Sequence, residues 1–440
     1  MSEKHPTVAI CTLGCKVNQY ESEAIGETFL QCGFRVVKEE EKPDLFVVNT
    51  CTVTAEADRK GGQLVRKLHA ENPAAPILLT GCMAQRDPAR AAALPGVSFV
   101  CGNADKLSVV AAAQKLLKER ETAPTVAVTP LDGAPFEPMR ITRFDRTRAY
   151  VKIEDGCENR CTYCAIPAAR GPVRSKPLFD VLSEVEGLTR GGCREVVLTG
   201  IETAAWGRDL GNAGLIDLLE AVDGIKGIGR VRLSSLDPAM VTEDFARRAA
   251  RLSSLTPHFH LSVQSGSSRT LAAMKRKYNR EMALSAVAVL KKHIPRVELT
   301  ADFIVGFPGE SEADFAETMS FARAAEFLSM HVFAYSKRAG TPAAAMPDQI
   351  PSAVKKQRSA ALIALGHTLR DARLAAAIEK EPMCEVLFET YENGFAVGHT
   401  DSFFEVAAPS PAPLHGALAR VRLFSAKNGR LYGEIETKKT

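Results

Sequence analysis

The chain lacks any apolar run long enough to cross a bilayer; its hydrophobic stretches are short and interrupted, where a span takes about 20 consecutive apolar residues. Its start, Met1-Ser2-Glu3-Lys4-His5-Pro6, carries no apolar core of the kind a secretory leader needs. A cytoplasmic protein with no membrane partner is therefore expected. Charge of one sign is also scarce. A net charge of +4 over 440 residues means that an acidic partner would be met by local patches rather than by the whole surface. One such patch runs through Arg140, Arg143, Arg146, Arg148 and Lys152 and resumes at Arg170, Arg174 and Lys176. Charge alone fits a solvated basic linker as well as a nucleic-acid contact. The apolar and charged fractions are those of an ordinary globular protein, and the length suggests about three domains.

Cysteine is not lacking. Eleven cysteines in a large, unsecreted chain read as metal ligands and core thiols rather than disulfides. Cys157, Cys161 and Cys164 lie in Gly156-Cys157-Glu158-Asn159-Arg160-Cys161-Thr162-Tyr163-Cys164, directly after the strand-like Arg148–Ile153. Three thiolates in one loop hold three irons of a cubane cluster whose full complement is four cysteines. The fourth iron is left open to substrate or cofactor, as the open position is in catalytic zinc sites. A zinc knuckle or a C-x-x-C redox pair is the competing reading.

The first ~120 residues alternate short apolar runs with helical patterns, as βαβ units do. Strands are expected at Thr7–Cys11, Asp44–Asn49, Pro76–Thr80 and Val97–Val100. Helices are expected at Glu21–Cys32, Ala55–Glu71, Pro88–Ala93 and Ser108–Glu119. In a doubly wound sheet ligands bind beyond the carboxyl ends of the strands. Cys15, Cys51 and Cys82 each follow such an end, so the fold gathers them at one edge. Three convergent thiolates argue for a second cluster, against three small buried thiols. Cys101 also follows a strand but reads by default as a core thiol.

A Pro-rich stretch, Pro124 through Pro138, reads as a linker. Six strand candidates follow: Arg148–Ile153, Glu195–Thr199, Arg230–Ser234, Phe259–Val263, Glu298–Val305 and Ser329–Tyr335, with helical patterns in most gaps. Six βα units fall short of the eight that close a TIM barrel, so an open, curved sheet is expected, with its chemistry at the C-terminal strand ends. Polar or Gly-rich turns there, at Gly200-Ile201-Glu202, Ser234-Ser235, Gln264–Ser267 and Val305–Glu310, make a pocket plausible. A helix at Ser352–Ile378 leads into a β-rich tail around the loop Ala407–Pro413, the size of a small β-barrel. The expected fold class is α/β. Its parts are a doubly wound domain over 1–122, a linker over 123–142, an open (βα)6 barrel over 143–375 and a β-barrel over 376–440.

With these residues laid out, the chain resembles the methylthiotransferase family of radical S-adenosylmethionine (radical SAM) enzymes over essentially its full length. The resemblance rests on Thr12–Ser22, Asn49–Thr54, Thr80–Gln85, the cluster loop with Ile166–Gly171, Gln264–Ser267, Val305–Glu310 and Tyr335–Pro342. Gly14-Cys15-Lys16-Val17-Asn18-Gln19 resembles the branch that acts on N6-threonylcarbamoyladenosine at tRNA position 37. The C-terminal barrel resembles the family's TRAM domain, an RNA-binding module.

The resemblance implies two 4Fe–4S clusters. Cys157, Cys161 and Cys164 would hold the one whose open iron chelates S-adenosylmethionine and whose electron generates a 5′-deoxyadenosyl radical, which takes hydrogen from C2 of the adenosine. Cys15, Cys51 and Cys82 would hold an auxiliary cluster that delivers the methylthio group. It also implies Tyr163 near the cofactor's adenine and Glu202 near its amino group, with Gly200 and Gln264 as further cofactor contacts. Ala168 departs from the family, which often carries Tyr there. The implied partners are tRNA, an electron donor such as flavodoxin or ferredoxin, and a sulfur donor. Isopentenyladenosine-37, a ribosomal-protein aspartate, or a non-enzymatic iron–sulfur RNA-binding role are the rival readings. Lys16–Gln19 speaks against the first two, and the three-cysteine sets against the last. A threonylcarbamoyl group adds a carboxylate, for which arginine is the natural partner. Arg338, just past the last barrel strand, is the candidate, its alternative being a pair with a nearby acid.

Overall fold

The computed structural model describes residues 5–119, 123–144, 146–211 and 213–436. The first sheet has six parallel strands in the order Arg35–Val36, Thr7–Thr12, Leu45–Thr50, Ile77–Gly81, Val97–Cys101, Thr125–Ala127. Its central strands Leu45–Thr50 and Ile77–Gly81 are buried along their whole length. That explains their continuous apolar runs, since helices cover both faces of a parallel sheet. The chain reverses its winding direction at Thr7–Thr12, so the ends of the neighbouring strands Thr7–Thr12 and Leu45–Thr50 form a switch-point crevice. Helix Ala55–Glu71 falls where its apolar spacing put it. Helix Lys16–Gln31 starts five residues before the sequence reading, because Cys15 is its extended N-cap and polar Asn18 is turned inward. Residues 125–127, expected as linker, instead pair along the sheet edge beside Val97–Cys101.

The central region is the expected open, curved array of six parallel strands, with its hydrogen bonding parted in two at the third strand. It forms a parallel three-stranded sheet (Ala149–Lys152, Glu195–Thr199, Arg230–Leu233) and a parallel four-stranded sheet (Ser235–Leu236, His258–Gln264, Glu298–Val305, Ser329–Ala334). The chain crosses between them at Ser234: its amide donates to Leu198 O (3.0 Å), while Ser235 already pairs with His260. Along His258–Gln264, Phe259, Leu261 and Val263 are buried, whereas His260, Ser262 and Gln264 are half-buried and line the concave interior. Helix Lys16–Gln31 of the first domain packs against the strand Ala149–Lys152.

Helix Ser352–Lys380 runs along Ser329–Ala334 and delivers the chain to a closed five-stranded barrel. Glu405–Pro409, overlapping the expected loop, is one of its strands. This barrel seals the floor of the central one. Phe403, at φ 76°, stacks on His258 (centroids 4.4 Å) and His399 (4.7 Å), with Arg148 and Arg232 over its ring. No helix among the described residues is long and apolar enough to cross a membrane.

Candidate functional site

Cys15, Cys51 and Cys82 emerge from three adjacent strands at the switch-point edge, and polar side chains fix their loops to one another. Asn18 Nδ2 donates to Leu13 O and to Thr50 O (2.9 Å each), tying the Cys15 loop to the Cys51 loop. Thr50 Oγ1 donates to Thr80 O (2.6 Å) and accepts from the Met83 amide (3.2 Å), tying Cys51 to Cys82. Cys82 is the first residue of helix Cys82–Arg86, preceded by Gly81 at φ 95°. A Cβ on Gly81 would lie 2.5 Å from Thr50 O, so the close approach of these loops requires glycine. Burial pushes the Cys51 thiol up to about 11, and no disulfide joins any of the cysteines.

The second triad sits on a loop closed at its base by a two-residue antiparallel ladder, Glu154 with Ser175 and Asp155 with Arg174. Inside the closure the Cys157 amide donates to Gly171 O (3.0 Å). Gly156, at φ 94°, passes so close to Pro172 that a Cβ would lie 1.9 Å from its carbonyl oxygen. The three thiols line one cavity together with Tyr163, Glu202, Gln264, Ser235, Ser262, Asp237 and Arg276. Arg276 donates to Cys161 Sγ (3.2 Å) and to Asp237 Oδ2 (2.7 Å), and the Cys157 thiol donates to Glu202 Oε2 (3.2 Å). Burial raises Cys157, with Glu202 adding to it, and pushes Cys164 up to about 11. Such thiols lose their protons on binding metal.

A cluster fits both sets better than a single ion. Among the described residues neither triad gathers three sulfurs within 4.8 Å of one another, whereas zinc draws its thiolates in with bonds of about 2.3 Å. The charge around the first triad also fits an anionic group. Arg170, fully buried, donates from Nε to Cys82 Sγ (3.2 Å) and from Nη1 to Glu21 Oε1 (2.5 Å) and Asp155 Oδ2 (3.1 Å). Lys152 reaches the same two carboxylates at 3.0 and 3.3 Å, and Lys106 reaches Glu21 at 2.9 Å. Burial would raise Glu21, but Arg170, Lys106 and Lys152 hold it well below the carboxylate range. Cations outnumber carboxylates in this seam, which joins the first domain to the base of the Cys157 loop.

Between the triads lies a further cavity of about 310 Å³, lined by Val53 and Thr54 just past Cys51, by Tyr163, Cys164, Ile166 and Gln264 of the thiol cavity, and by Asp302, Ile304, Phe333 and Tyr335. Three of the four cofactor candidates, Tyr163, Glu202 and Gln264, line the thiol cavity. Gly200 does not; a Cβ there would meet Glu154 Oε2 at 2.6 Å, so it serves close packing beneath the site. Arg338 is placed differently from the sequence expectation. It is buried, and its guanidinium donates to Asp58 Oδ2 (2.6 Å) and Thr52 Oγ1 (2.8 Å), so it is committed to clamping the first domain against the barrel. Cys101 is fully buried in the core, its thiol pushed up to about 11 by desolvation. Asp237, Arg276 and Arg170 were not foreseen as neighbours of the cysteines. Only the acid–base pairing of Arg276 with Asp237 across the fold reveals the first two.

Residues 151–322 match the family described as Radical SAM superfamily, and residues 7–102 match Uncharacterized protein family UPF0004. The chain is 38% identical over 426 residues to the threonylcarbamoyladenosine tRNA methylthiotransferase MtaB of Bacillus subtilis (strain 168), covering 96% of this chain and 94% of that one. It is 35% identical over 448 residues to the tRNA-2-methylthio-N(6)-dimethylallyladenosine synthase of Moorella thermoacetica (strain ATCC 39073 / JCM 9320), covering 99% of both. Among solved structures, the radical S-adenosylmethionine methyltransferase TsrM of Kitasatospora setae superposes with a TM-score of 0.58 at 17% identity, over 78% of this chain and 74% of that one.

Proposed function

Because this chain belongs to the methylthiotransferase family of radical SAM enzymes, we propose that it converts N6-threonylcarbamoyladenosine at position 37 of tRNA to the 2-methylthio derivative. Relatives named for that activity are 34 to 39% identical to it. The observation that carries the reading is the cavity shared by residues adjoining both cysteine triads. Its walls are aromatic and aliphatic at Tyr163, Ile304, Phe333 and Tyr335, a surface on which a purine stacks.

When bound, two 4Fe–4S clusters and S-adenosylmethionine supply the radical and the methylthio group. The chain supplies position. Cys157, Cys161 and Cys164 would hold one cluster, and Glu202, Ser262, Gln264 and Asp237 would offer acceptors and donors to the cofactor in the same cavity. Cys15, Cys51 and Cys82 would hold the other. Val53 and Thr54 on one side and Tyr163 and Phe333 on the other flank the base and set C2 between the two sites. We assign the auxiliary cluster to 1–122, the radical chemistry to 143–375 and a TRAM-like RNA contact to the barrel in 376–440. A cytoplasmic setting follows, with a flavodoxin or ferredoxin as electron donor and a separate sulfur donor.

Mass spectrometry of nucleosides from tRNA of cells lacking the protein tests the reading. The expected result is loss of 2-methylthio-N6-threonylcarbamoyladenosine with accumulation of its precursor. Loss of the 2-methylthio-isopentenyl nucleoside instead would assign the chain to the other substrate.

A further inference from the structure

Most of the basic run picked out in the sequence is spent inside the protein. Arg148 pairs with Glu195 and Glu389, Lys152 and Arg170 with Glu21 and Asp155, and Lys176 with Glu184. An acidic partner must therefore meet other charges. Four arginines, Arg59, Arg66, Arg90 and Arg338, line a cleft of about 420 Å³ against the first domain, and Asp58 is the one carboxylate among its lining residues. Helical spacing builds the cleft. Ala55, Arg59, Gly62 and Arg66 recur every three or four residues along helix Ala55–Glu71 and so share one face. Arg90 in helix Pro88–Ala92 and Leu94 just after it line the same cleft. Gly62 keeps it open: a Cβ there would lie 3.2 Å from Arg66 Nη1 and 3.9 Å from Leu94 Cδ2. Glycine weakens the middle of a helix relative to alanine. Here it leaves room for the Arg66 guanidinium to fold back across the helix.

The charges in the cleft do not balance. Asp58 is taken by Arg338, whose guanidinium donates to Oδ2 at 2.6 Å. Arg59 is taken by Glu56, to which it donates from Nε (2.7 Å) and from Nη2. Arg66 and Arg90 are exposed, and neither side chain has a hydrogen bond or ion pair among the described residues. Like charges lining one cleft repel, and an anion lying along it relieves both.

The cleft adjoins the chamber between the triads along two stretches of chain. Val53 and Thr54 line the chamber and Ala55 the cleft, while Ser336 lines the chamber and Arg338 the cleft. The Ala55 amide donates to Ser336 Oγ (3.3 Å), which ties the two stretches together at the boundary. A polynucleotide with one base in the chamber brings its neighbouring phosphates to this boundary, and a phosphodiester is what the planar fork of arginine grips. We propose that the cleft seats the RNA backbone beside the target nucleotide, Arg66 and Arg90 each pairing with a phosphate. Such contacts set register and orientation and carry no sequence information. The seat therefore holds an anticodon loop whether or not its base is modified, and leaves the choice of base to the chamber. The inference rests on the tRNA substrate proposed above.

The test is binding of the full-length, cluster-loaded protein to a synthetic anticodon stem-loop carrying N6-threonylcarbamoyladenosine at position 37, over a series of salt concentrations. Arg66→Gln and Arg90→Gln should each weaken binding about fivefold at low salt. Each should also flatten the plot of log affinity against log salt by about 0.7, the share of one phosphate on a single strand. The same losses should appear with plain adenosine at position 37, because the cleft meets only the backbone. Arg66→Lys keeps the charge and should keep the slope. Both side chains are exposed and unpaired, so folding is not at issue in these variants. Wild-type affinity and slope in the double variant would overturn the seat and leave the substrate reading standing. Normal RNA binding with slower reduction of the clusters by flavodoxin would assign the cleft to an acidic electron donor instead. A loss confined to the modified stem-loop would place the arginines at the base rather than the backbone. If the wild-type protein binds neither stem-loop, the substrate reading falls and the seat with it.

Discussion

Arg338 and Asp58 meet across 280 positions of sequence, and their pairing shows what a single residue discloses only in three dimensions. The arginine expected to face a substrate carboxylate instead pairs with Asp58 and Thr52. Nothing in Tyr335-Ser336-Lys337-Arg338 announces an aspartate on another domain's helix. The pair is nearly buried, with side-chain exposures of 6% and 12%, so removing one partner strands a desolvated charge. Arg338→Ala should therefore cost about 3 kcal/mol of folding stability in a urea titration. Asp58→Asn should cost a similar amount, and the double variant less than their sum, because both remove one interaction. Additive losses would show that the two residues act separately.

At the scale of elements, the strand-end loops carry the site, and they were the most legible part of the chain. Glu195–Thr199, Glu298–Val305 and Ala55–Glu71 have the boundaries that periodicity gave them. The cysteines stand at strand ends because the βαβ pattern is written locally. The split at Ser234 was hidden, since pairing register depends on strands far away in sequence. So was helix Cys82–Arg86, too short to show a period. Three predictions belong here. Replacing Cys157, Cys161 and Cys164 by Ala should roughly halve bound iron and abolish S-adenosylmethionine cleavage. Replacing Cys15, Cys51 and Cys82 should instead preserve uncoupled cleavage and abolish methylthiolation. Gly156→Ala should mimic the first set without touching a ligand, because φ 94° and a contact of 1.9 Å to Pro172 O cannot accept a Cβ. Iron content and cleavage at wild-type levels in that variant would show that the loop tolerates a different closure.

At the scale of the molecule, the C-terminal barrel is part of the central one's interior as well as a candidate RNA contact. Phe403 plugs the floor between His258 and His399, and Arg230 donates to Glu385 O (2.9 Å) across the same interface. Composition and strand spacing showed a small β-barrel but not where it docks, because the docking residues are ordinary arginines and histidines. Phe403→Ala should lower stability by about 2 kcal/mol through lost stacking and cation–π contact. It should shift the unfolding of both barrels together in calorimetry. Separate transitions, with only the C-terminal one moved, would mean that the two fold independently.

The seam of Glu21, Asp155, Arg170, Lys152 and Lys106 has a consequence for timing. Prying the first domain from the barrel would part the buried Glu21 carboxylate from Arg170 and Lys152, two of its three cations, and leave a net positive charge buried on the barrel side, so the two bodies do not breathe. The width of the reaction chamber is then set at folding rather than by closure around a ligand, and the arriving RNA is itself the lid. Amide exchange at Glu154–Asp155 and in the first turns of helix Lys16–Gln31 should accordingly run at the rate of global unfolding. It should be the same with and without bound tRNA, while the mouth of the chamber at Val53 and Phe333 slows when RNA covers it.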